Sequence, residues 1–502
     1  MKQAARSRRR ATHRRALEPL AGGAGIVHLT AEYLPFARTG GLAEAVRGLA
    51  EYQAAAGLRV TVILPLHRQV REHGTPLEPV GPRFSVSVGG RSDAARLFRA
   101  SGSETCCAVY FVDNPDYFDR PGIYGEGGDY ADSARRFAFF CRAALEAVPS
   151  IAPDAGVVHA HDWHSAPAII YLRHALAGRP FYDRLGTVLT VHNGAFQGHF
   201  PPEILGDIGL PAELYTVDTM EWYWRANVLK GGLRFCDAAT TVSPTHAAEL
   251  RTPVGGFGLH DSFAGLGDRF VGVRNGIDDV AWDPAHDAHL PAPFHSTDVG
   301  PKARCKTAVL QSFGLPRRPD LPLLAMSARL VEQKGLDLIL ADDFLLRTAA
   351  RFIFIGRGEE RYERALVALA RQAPDRIAVP LAFTDEAEHR LLGGADMLLM
   401  PCLYEPCGLT QMRAQLYGTM PIVRRVGGLA DTVEDGVTGF TFDAYEPAAL
   451  SDAVTRALAL YAKPRSWKAM MRRAMIRDFS WGPSAVEYHR LYRQAQTRRG
   501  VA

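Results

Sequence analysis

What this 502-residue chain lacks narrows its class first. No apolar run approaches the roughly 18 residues that a bilayer-spanning helix needs, so a helical membrane protein is excluded. Cysteine is sparse, with Cys106, Cys107, Cys141, Cys236, Cys305, Cys402 and Cys407 making an odd count without paired ligand spacing. That argues against a zinc site and a disulfide framework, and a reducing, cytoplasmic compartment is the simplest context. No Asp-x-Asp pair sits in a metal-cradling strand-loop context, so neither a metal nor another cofactor is expected. Acids are missing from the first fifteen residues, where Lys2, Arg6, Arg8, Arg9, Arg10, Arg14 and Arg15 stand alone. The overall +4 is therefore the work of this arm, and the rest of the chain is at −3. The arm has no aromatic residue, no helical apolar face and no apolar signal core, so a disordered basic leader over 1–24 is expected rather than a nucleic-acid-binding or membrane-targeting element.

What is present is ordinary in composition and regular in pattern. A hydrophobic share of 47% fits a soluble globular protein, and the length exceeds what one core organises, so two domains are expected. From Gly25 the chain reads G-I-V-H-L-T-A, then T-G-G and a segment with Leu42, Val46 and Leu49 on one helical face, then R-V-T-V-I-L-P. Strand, glycine turn, helix and strand make a βαβ unit and imply a parallel sheet. Strand-like runs recur at 157–161, 187–192, 239–242 and 270–273, and a second series lies at 323–327, 351–356, 377–382, 397–400 and 421–424. Helical patterns between them predict an α/β protein of two doubly wound domains. The breaker-rich segment 283–302 is the expected linker.

The polar motifs fall where these strands end, the usual edge for ligand sites in parallel sheets. Arg38-Thr39-Gly40-Gly41 follows the first strand; alone, such a turn is as well explained by a need for positive φ as by anion binding. His159-Ala-His161-Asp162-Trp163-His164 and Thr190-Val-His192-Asn193 end two more strands. In these, Asp162 is equally a helix cap and a lone histidine is more often a satisfied core group. Ser327-Ala-Arg329 and Lys334-Gly335 bring two cations five apart, suited to a diphosphate if they converge. Gly356-Arg-Gly358 follows another strand. Tyr404-Glu405-Pro-Cys407-Gly408-Leu409-Thr410-Gln411 joins an apolar strand to a helix start and offers a carboxylate, a turn and a hydroxyl to a polar ligand.

Taken in order, these motifs resemble those of the bacterial and plant glycogen/starch synthases, from about Gly25 to Tyr492. E-P-C-G-L-T-Q, H-D-W-H, T-V-H-N-x-A-F-Q-G, N-G-I-D with Trp282, and R-R-V-G-G-L-A-D carry most of the likeness. The sequence departs from the family's K-T-G-G-L-A-D by Arg38 and Glu44. The resemblance implies two Rossmann-like domains facing a cleft, the GT-B type of glycosyltransferase, at 25–285 and 300–478, with a helix in 479–502 returning to the first. It implies transfer of glucose from ADP-glucose to the non-reducing end of an α-1,4-glucan with retention of configuration. Glu405, His192, Asp162, Arg329 and Lys334 would then be catalytic. Arg38, Gly40, Gly41, Tyr124, Asn193, Asn275, Gly356, Cys407, Gly408, Leu409 and Thr410 would bind substrate. A related transferase using UDP-glucose or another acceptor, and a non-catalytic glucan-binding protein, remain the alternatives.

Overall fold

The computed structural model describes residues 17–101, 105–125, 128–317 and 321–500. The chain forms two compact units, the first comprising residues up to Gly276 together with the segment from Trp481, the second Ile277–Ser480. The chain enters the second unit at Ile277 and leaves it after Ser480 at adjacent points, where the Ile277 N–H donates to the Phe479 carbonyl at 2.8 Å.

The first unit is built on a nine-stranded sheet. Its strands are β1 (Gly25–Leu29), β2 (Val60–Pro65), β3 (Leu77–Val88), β4 (Arg91–Ala100), β5 (Ala108–Asp113), β6 (Ala155–His161), β7 (Gly186–Val191), β8 (Ala238–Thr241) and β9 (Phe270–Gly272). The order is β9-β8-β7-β6-β1-β2-β5-β4-β3. All pairs from β9 to β5 are parallel, while β3 and β4 add an antiparallel edge. That edge escapes the sequence patterns because its outward positions are largely exposed and Pro79, Gly81 and Pro82 break the alternation. Helix α1 (Gly41–Ala55) covers one face with the C-terminal helix, and α2 (Ser133–Ile151) covers the other, burying Phe137, Phe139 and Phe140 completely. Each such ring contributes about 1.5–3 kcal/mol of hydrophobic stabilisation.

The second unit is a fully parallel six-stranded sheet: β10 (Leu323–Ser327), β11 (Arg351–Ile355), β12 (Ile377–Ala378), β13 (Met397–Met400), β14 (Met420–Arg424) and β15 (Phe440–Phe442), in the order β12-β11-β10-β13-β14-β15. Four hydrophobic strands buried on both faces, β10, β11, β13 and β14, made this half legible, while β15 was not anticipated.

Three expectations need correction. The segment 283–302 is not a linker, because Leu290, Ala292 and Phe294 are buried with Trp282 in a core cluster of the second unit. Polar breakers there serve turns around apolar anchors. Residues 17–24 are not part of a loose leader, since Leu20 is buried against Ile26 and the Leu17 N–H reaches the Ala56 carbonyl. The basic arm itself lies outside the described residues. The run 377–382 gives a strand of only two residues.

Candidate active site

In the second unit the candidate site residues gather at the carboxyl ends of β10, β11 and β13. The Lys334 ammonium lies 2.5 Å from Glu405 Oε2, and Cys402 Sγ is 3.8 Å from the same oxygen. Glu405 is buried. Burial is the largest influence on Lys334 and pulls its pKa down, but the charge and hydrogen bond of Glu405 prevail, so the ammonium is held above its ordinary value.

Backbone packing sets this pair. Gly335, at φ +74°, lies so close to the 401–409 loop that a Cβ would fall 1.9 Å from the Pro401 carbonyl oxygen. Gly427, at φ +42°, approaches from the other side, where a Cβ would stand 2.0 Å from the Glu405 carbonyl oxygen. Only glycine combines those torsions with that approach. Gln333 completes the clamp, its amide donating to the Tyr404 carbonyl at 3.1 Å and its own carbonyl accepting from Leu403 N–H at 2.9 Å. Arg424 donates to the Leu403 carbonyl at 2.7 Å.

Arg329 is exposed just past β10, and its charge acts on Lys334. Gly356 closes β11 against the Ala328 carbonyl. Cys407 is buried, Gly408 turns the chain at φ +69°, and Leu409 leads into the short helix Thr410–Leu416. Sequence reasoning missed Glu388. Its buried carboxylate accepts from Thr410 Oγ1 at 3.2 Å, Ser327 Oγ at 3.4 Å and Arg413 Nη1 at 3.1 Å, tying the Ser327 and Thr410 motifs together. Its place in an ordinary acidic helix start, D-E-A-E, gave no signal.

In the first unit the polar residues gather at the ends of β1, β6 and β7. Asp162 takes φ +57°, uncommon for a non-glycine residue and typical of functional sites. Its Oδ1 accepts from the His192 N–H at 2.7 Å. Burial raises its pKa to about 7, against the opposing pull of the His192 and Asn193 amides. Burial lowers the His192 ring to about 3, so it is neutral at ordinary pH. Asn193 accepts from Ala195 N–H in a local turn, and Asn275 is buried with an Oδ1 that has no partner among the described residues.

Glu32 is the second residue the sequence did not reveal. Its carboxylate accepts from Thr39 N–H at 2.6 Å and Gly40 N–H at 3.1 Å through one oxygen, and from the Tyr124 hydroxyl at 2.6 Å through the other. The glycine turn thus gives the Gly40 amide to the protein's own carboxylate, which corrects the expectation of a phosphate-facing amide there. Gly41 starts α1 and is exposed, and Arg38 is half-buried with its N–H on Gln69 Oε1. Glu32 lies just beyond the first strand, which ends at Leu29, and nothing in T-A-E-Y marks it as an acceptor for the turn at Thr39 and Gly40.

The starch synthase catalytic domain family matches residues 25–264, and glycosyl transferases group 1 matches 310–473. A glycogen synthase of Anaeromyxobacter dehalogenans is 42% identical over 476 residues, 93% of this chain and 98% of that protein. The chain belongs to the glycogen synthase family. It is a glycosyltransferase with two Rossmann-like domains. A glycogen synthase of Syntrophotalea carbinolica is 41% identical over 94% of this chain and 98% of its own length. Among solved structures, the catalytic domain of starch synthase IV from Arabidopsis thaliana, bound to ADP and acarbose, matches with a TM-score of 0.87 and 31% identity. The match covers 96% of this chain and all of that one. A sucrose-phosphate synthase of Thermosynechococcus elongatus, at 20% identity and a TM-score of 0.61, shares the fold.

Proposed function

We propose that this protein is a glycogen synthase that transfers glucose from ADP-glucose to the non-reducing end of an α-1,4-glucan, with retention of configuration. The observation that carries the reading is the Lys334–Glu405 pair, 2.5 Å apart and clamped by Gly335 and Gly427. A family member of this architecture needs a cation for the departing diphosphate and a carboxylate for the sugar, and this pair supplies both from two separate loops packed together at Gly335. The ADP and acarbose held by the starch synthase IV neighbour support an adenine nucleotide donor and a glucan-like acceptor.

In this reading the bond from the glucose anomeric carbon to the ADP oxygen breaks while a bond to the acceptor O4 forms. The acceptor's proton goes to the leaving phosphate, and ADP departs. Lys334 and Arg329 neutralise the charge that grows on the diphosphate as it leaves. Glu405 accepts hydrogen bonds from glucose hydroxyls and favours positive charge at the anomeric carbon. Cys407, Gly408, Leu409 and Thr410 line the donor side with Gly356 near the base. His192, Asn193 and Asp162 orient the sugar, with Arg38, Gly41, Tyr124 and Asn275 as further contacts. A neutral His192 suits this role, since it can hydrogen-bond a hydroxyl without opposing the developing cation. A cytosolic location accords with seven cysteines of which none forms a disulfide.

The test is glucose incorporation into glycogen by purified protein supplied with ADP-glucose or UDP-glucose. Faster incorporation from ADP-glucose is expected, with turnover lost and ADP binding kept in Glu405→Ala. Incorporation from UDP-glucose alone would replace the donor, and unchanged turnover in Glu405→Ala would remove the mechanism.

A further inference from the structure

Four histidines of the first unit form a continuous chain that the reaction does not obviously require. The sheet register explains their meeting. His28 on β1 pairs with His159 on β6, and His161 on β6 pairs with Thr190 on β7. Successive side chains of a strand alternate faces, so His28, His159, His161 and Thr190 share one face, and His192 follows two residues after Thr190. Helix α1 brings Gln53 over that face, and α3 (Gly482–Thr497), the C-terminal helix, brings Tyr492.

The contacts run without a gap. Tyr492 Oη meets Gln53 Nε2 at 2.9 Å, and Gln53 Oε1 meets His28 Nε2 at 2.9 Å. His28 Nδ1 meets His161 Nε2 at 3.0 Å, and His161 Nδ1 meets His192 Nε2 at 3.0 Å. A branch leads from Tyr492 Oη to His159 Nδ1 at 2.9 Å, and from His159 Nε2 to Thr190 Oγ1 at 2.6 Å. Gln53, His28, His159, His161 and Tyr492 are buried, and burial lowers the pKa of all four imidazoles, so each ring is neutral and carries a single N–H.

Neutral rings in series have a polarity. The Tyr492 hydroxyl has one proton. When that proton goes to His159, the Tyr492 oxygen accepts from the Gln53 amide and leaves Gln53 Oε1 to accept from His28 Nε2–H. His28 Nδ1 then accepts from His161 Nε2–H, and His161 Nδ1 accepts from His192 Nε2–H. The proton of His192 is thereby fixed on Nε2, and its Nδ1, which has no partner among the described residues, keeps a lone pair. Turning the Gln53 amide over would reverse every bond and make His192 Nδ1 a donor.

The same atoms answer a competing idea. His28, His159 and His161 place ring nitrogens within 4.8 Å of one another, a spacing that suits a metal ion. Every one of those six nitrogens already has a hydrogen-bond partner, three of them on Gln53, Tyr492 and Thr190, which have the matching polarity. The chain of hydrogen bonds accounts for the cluster fully.

We infer that Tyr492 and Gln53 are positioning residues that set the tautomer of His192 through His28 and His161, so that the C-terminal helix determines which ring nitrogen His192 offers as an acceptor. This rests on the reading of His192 as a sugar contact for its effect on rate, but not for its effect on the ring.

The experiment uses the full-length enzyme with ¹⁵N-labelled histidine, in wild type, Tyr492→Phe, Gln53→Leu and, to assign the signal, His192→Asn. Ring nitrogen shifts report the tautomer directly, and initial rates with ADP-glucose and glycogen report function. The wild-type His192 is expected as the Nε2–H form. Both Tyr492→Phe and Gln53→Leu should lose that single form, and kcat should fall about 10–100-fold, as for other residues that orient a functional histidine from behind. The KM for ADP-glucose should change less than kcat. A His192 signal that keeps the Nε2–H form in both variants overturns the inference, whatever happens to stability. Tautomer loss with kcat unchanged in the variants and in His192→Asn sustains the relay and instead overturns the sugar-contact role.

Discussion

The two units solve the problem of polar groups in a parallel sheet in opposite ways. At the strand ends of the first, polarity is carried by neutral rings: burial pushes His28 to about 4, His67, His164 and His192 to about 3, and Asp162 up to about 7. In the second, charge is kept and paired at the carboxyl ends of the strands, in Lys334–Glu405 and Arg413–Glu388. Neutral donors and acceptors fit sugar hydroxyls, whereas retained charge fits a diphosphate. Nothing in the shared α/β architecture demands this division, which fits the proposal that the first unit holds the sugar and the second the diphosphate.

Breaking the charged side should have the largest effect. Lys334→Met is expected to reduce kcat with ADP-glucose by about 10²–10³, the scale for losing one electrostatic contact to a leaving group, measured as initial rates on glycogen. Next comes the clamp. Gly427→Ala places a methyl on the Glu405 carbonyl at an unfavourable φ, and a loss of about 2–5 kcal/mol of stability is expected, read from denaturant unfolding of the second unit by hydrogen exchange. Acid sharpens the contrast from the neutral side. The lowered histidine pKa values contribute stability that is present above about pH 6.5 and is lost as pH falls towards about 4. Asp162 has the opposite sign, since its raised pKa favours the fold at low pH and that contribution is lost as pH rises through about 7, but it is one group against several. Once corrected for the intrinsic exchange rate, which itself falls with pH, amide protection in β1, β6 and β7 should therefore drop between pH 6.5 and 4.5 more than in β10, β11 and β13; an equal drop would remove the distinction. The smallest effect is expected at half-buried Arg38, where Arg38→Lys should change kcat by less than about fivefold, the scale of a partly solvated charge contact.

The comparison also explains which parts were legible. Four of the six strands of the second unit and the E-P-C-G-L-T-Q loop were readable because runs such as M-L-L-M are hydrophobic on both faces and the motif residues adjoin one another. Lys334 and Glu405 were named separately, but their contact depends on Gly335 and Gly427 packing on carbonyls far along the chain, which no local pattern encodes. Glu32 and Glu388 were missed for the same reason: each is a lone carboxylate whose partners are brought by register and helix packing. The segment 283–302 was misread because its breakers are local while its anchors, Leu290 and Phe294, meet Trp282 only in three dimensions. The turn at Gly40 was recognised and its use was not, since the backbone amide looks the same whether it faces a phosphate or Glu32.

The most direct test of the division between the units is titration calorimetry of ADP into wild type, Lys334→Met and His192→Asn. The account predicts at least about tenfold weaker ADP binding in Lys334→Met, one charge-assisted hydrogen bond being worth roughly 1.5–3 kcal/mol, with His192→Asn within about twofold of wild type. Weaker binding in His192→Asn with Lys334→Met unchanged would contradict it.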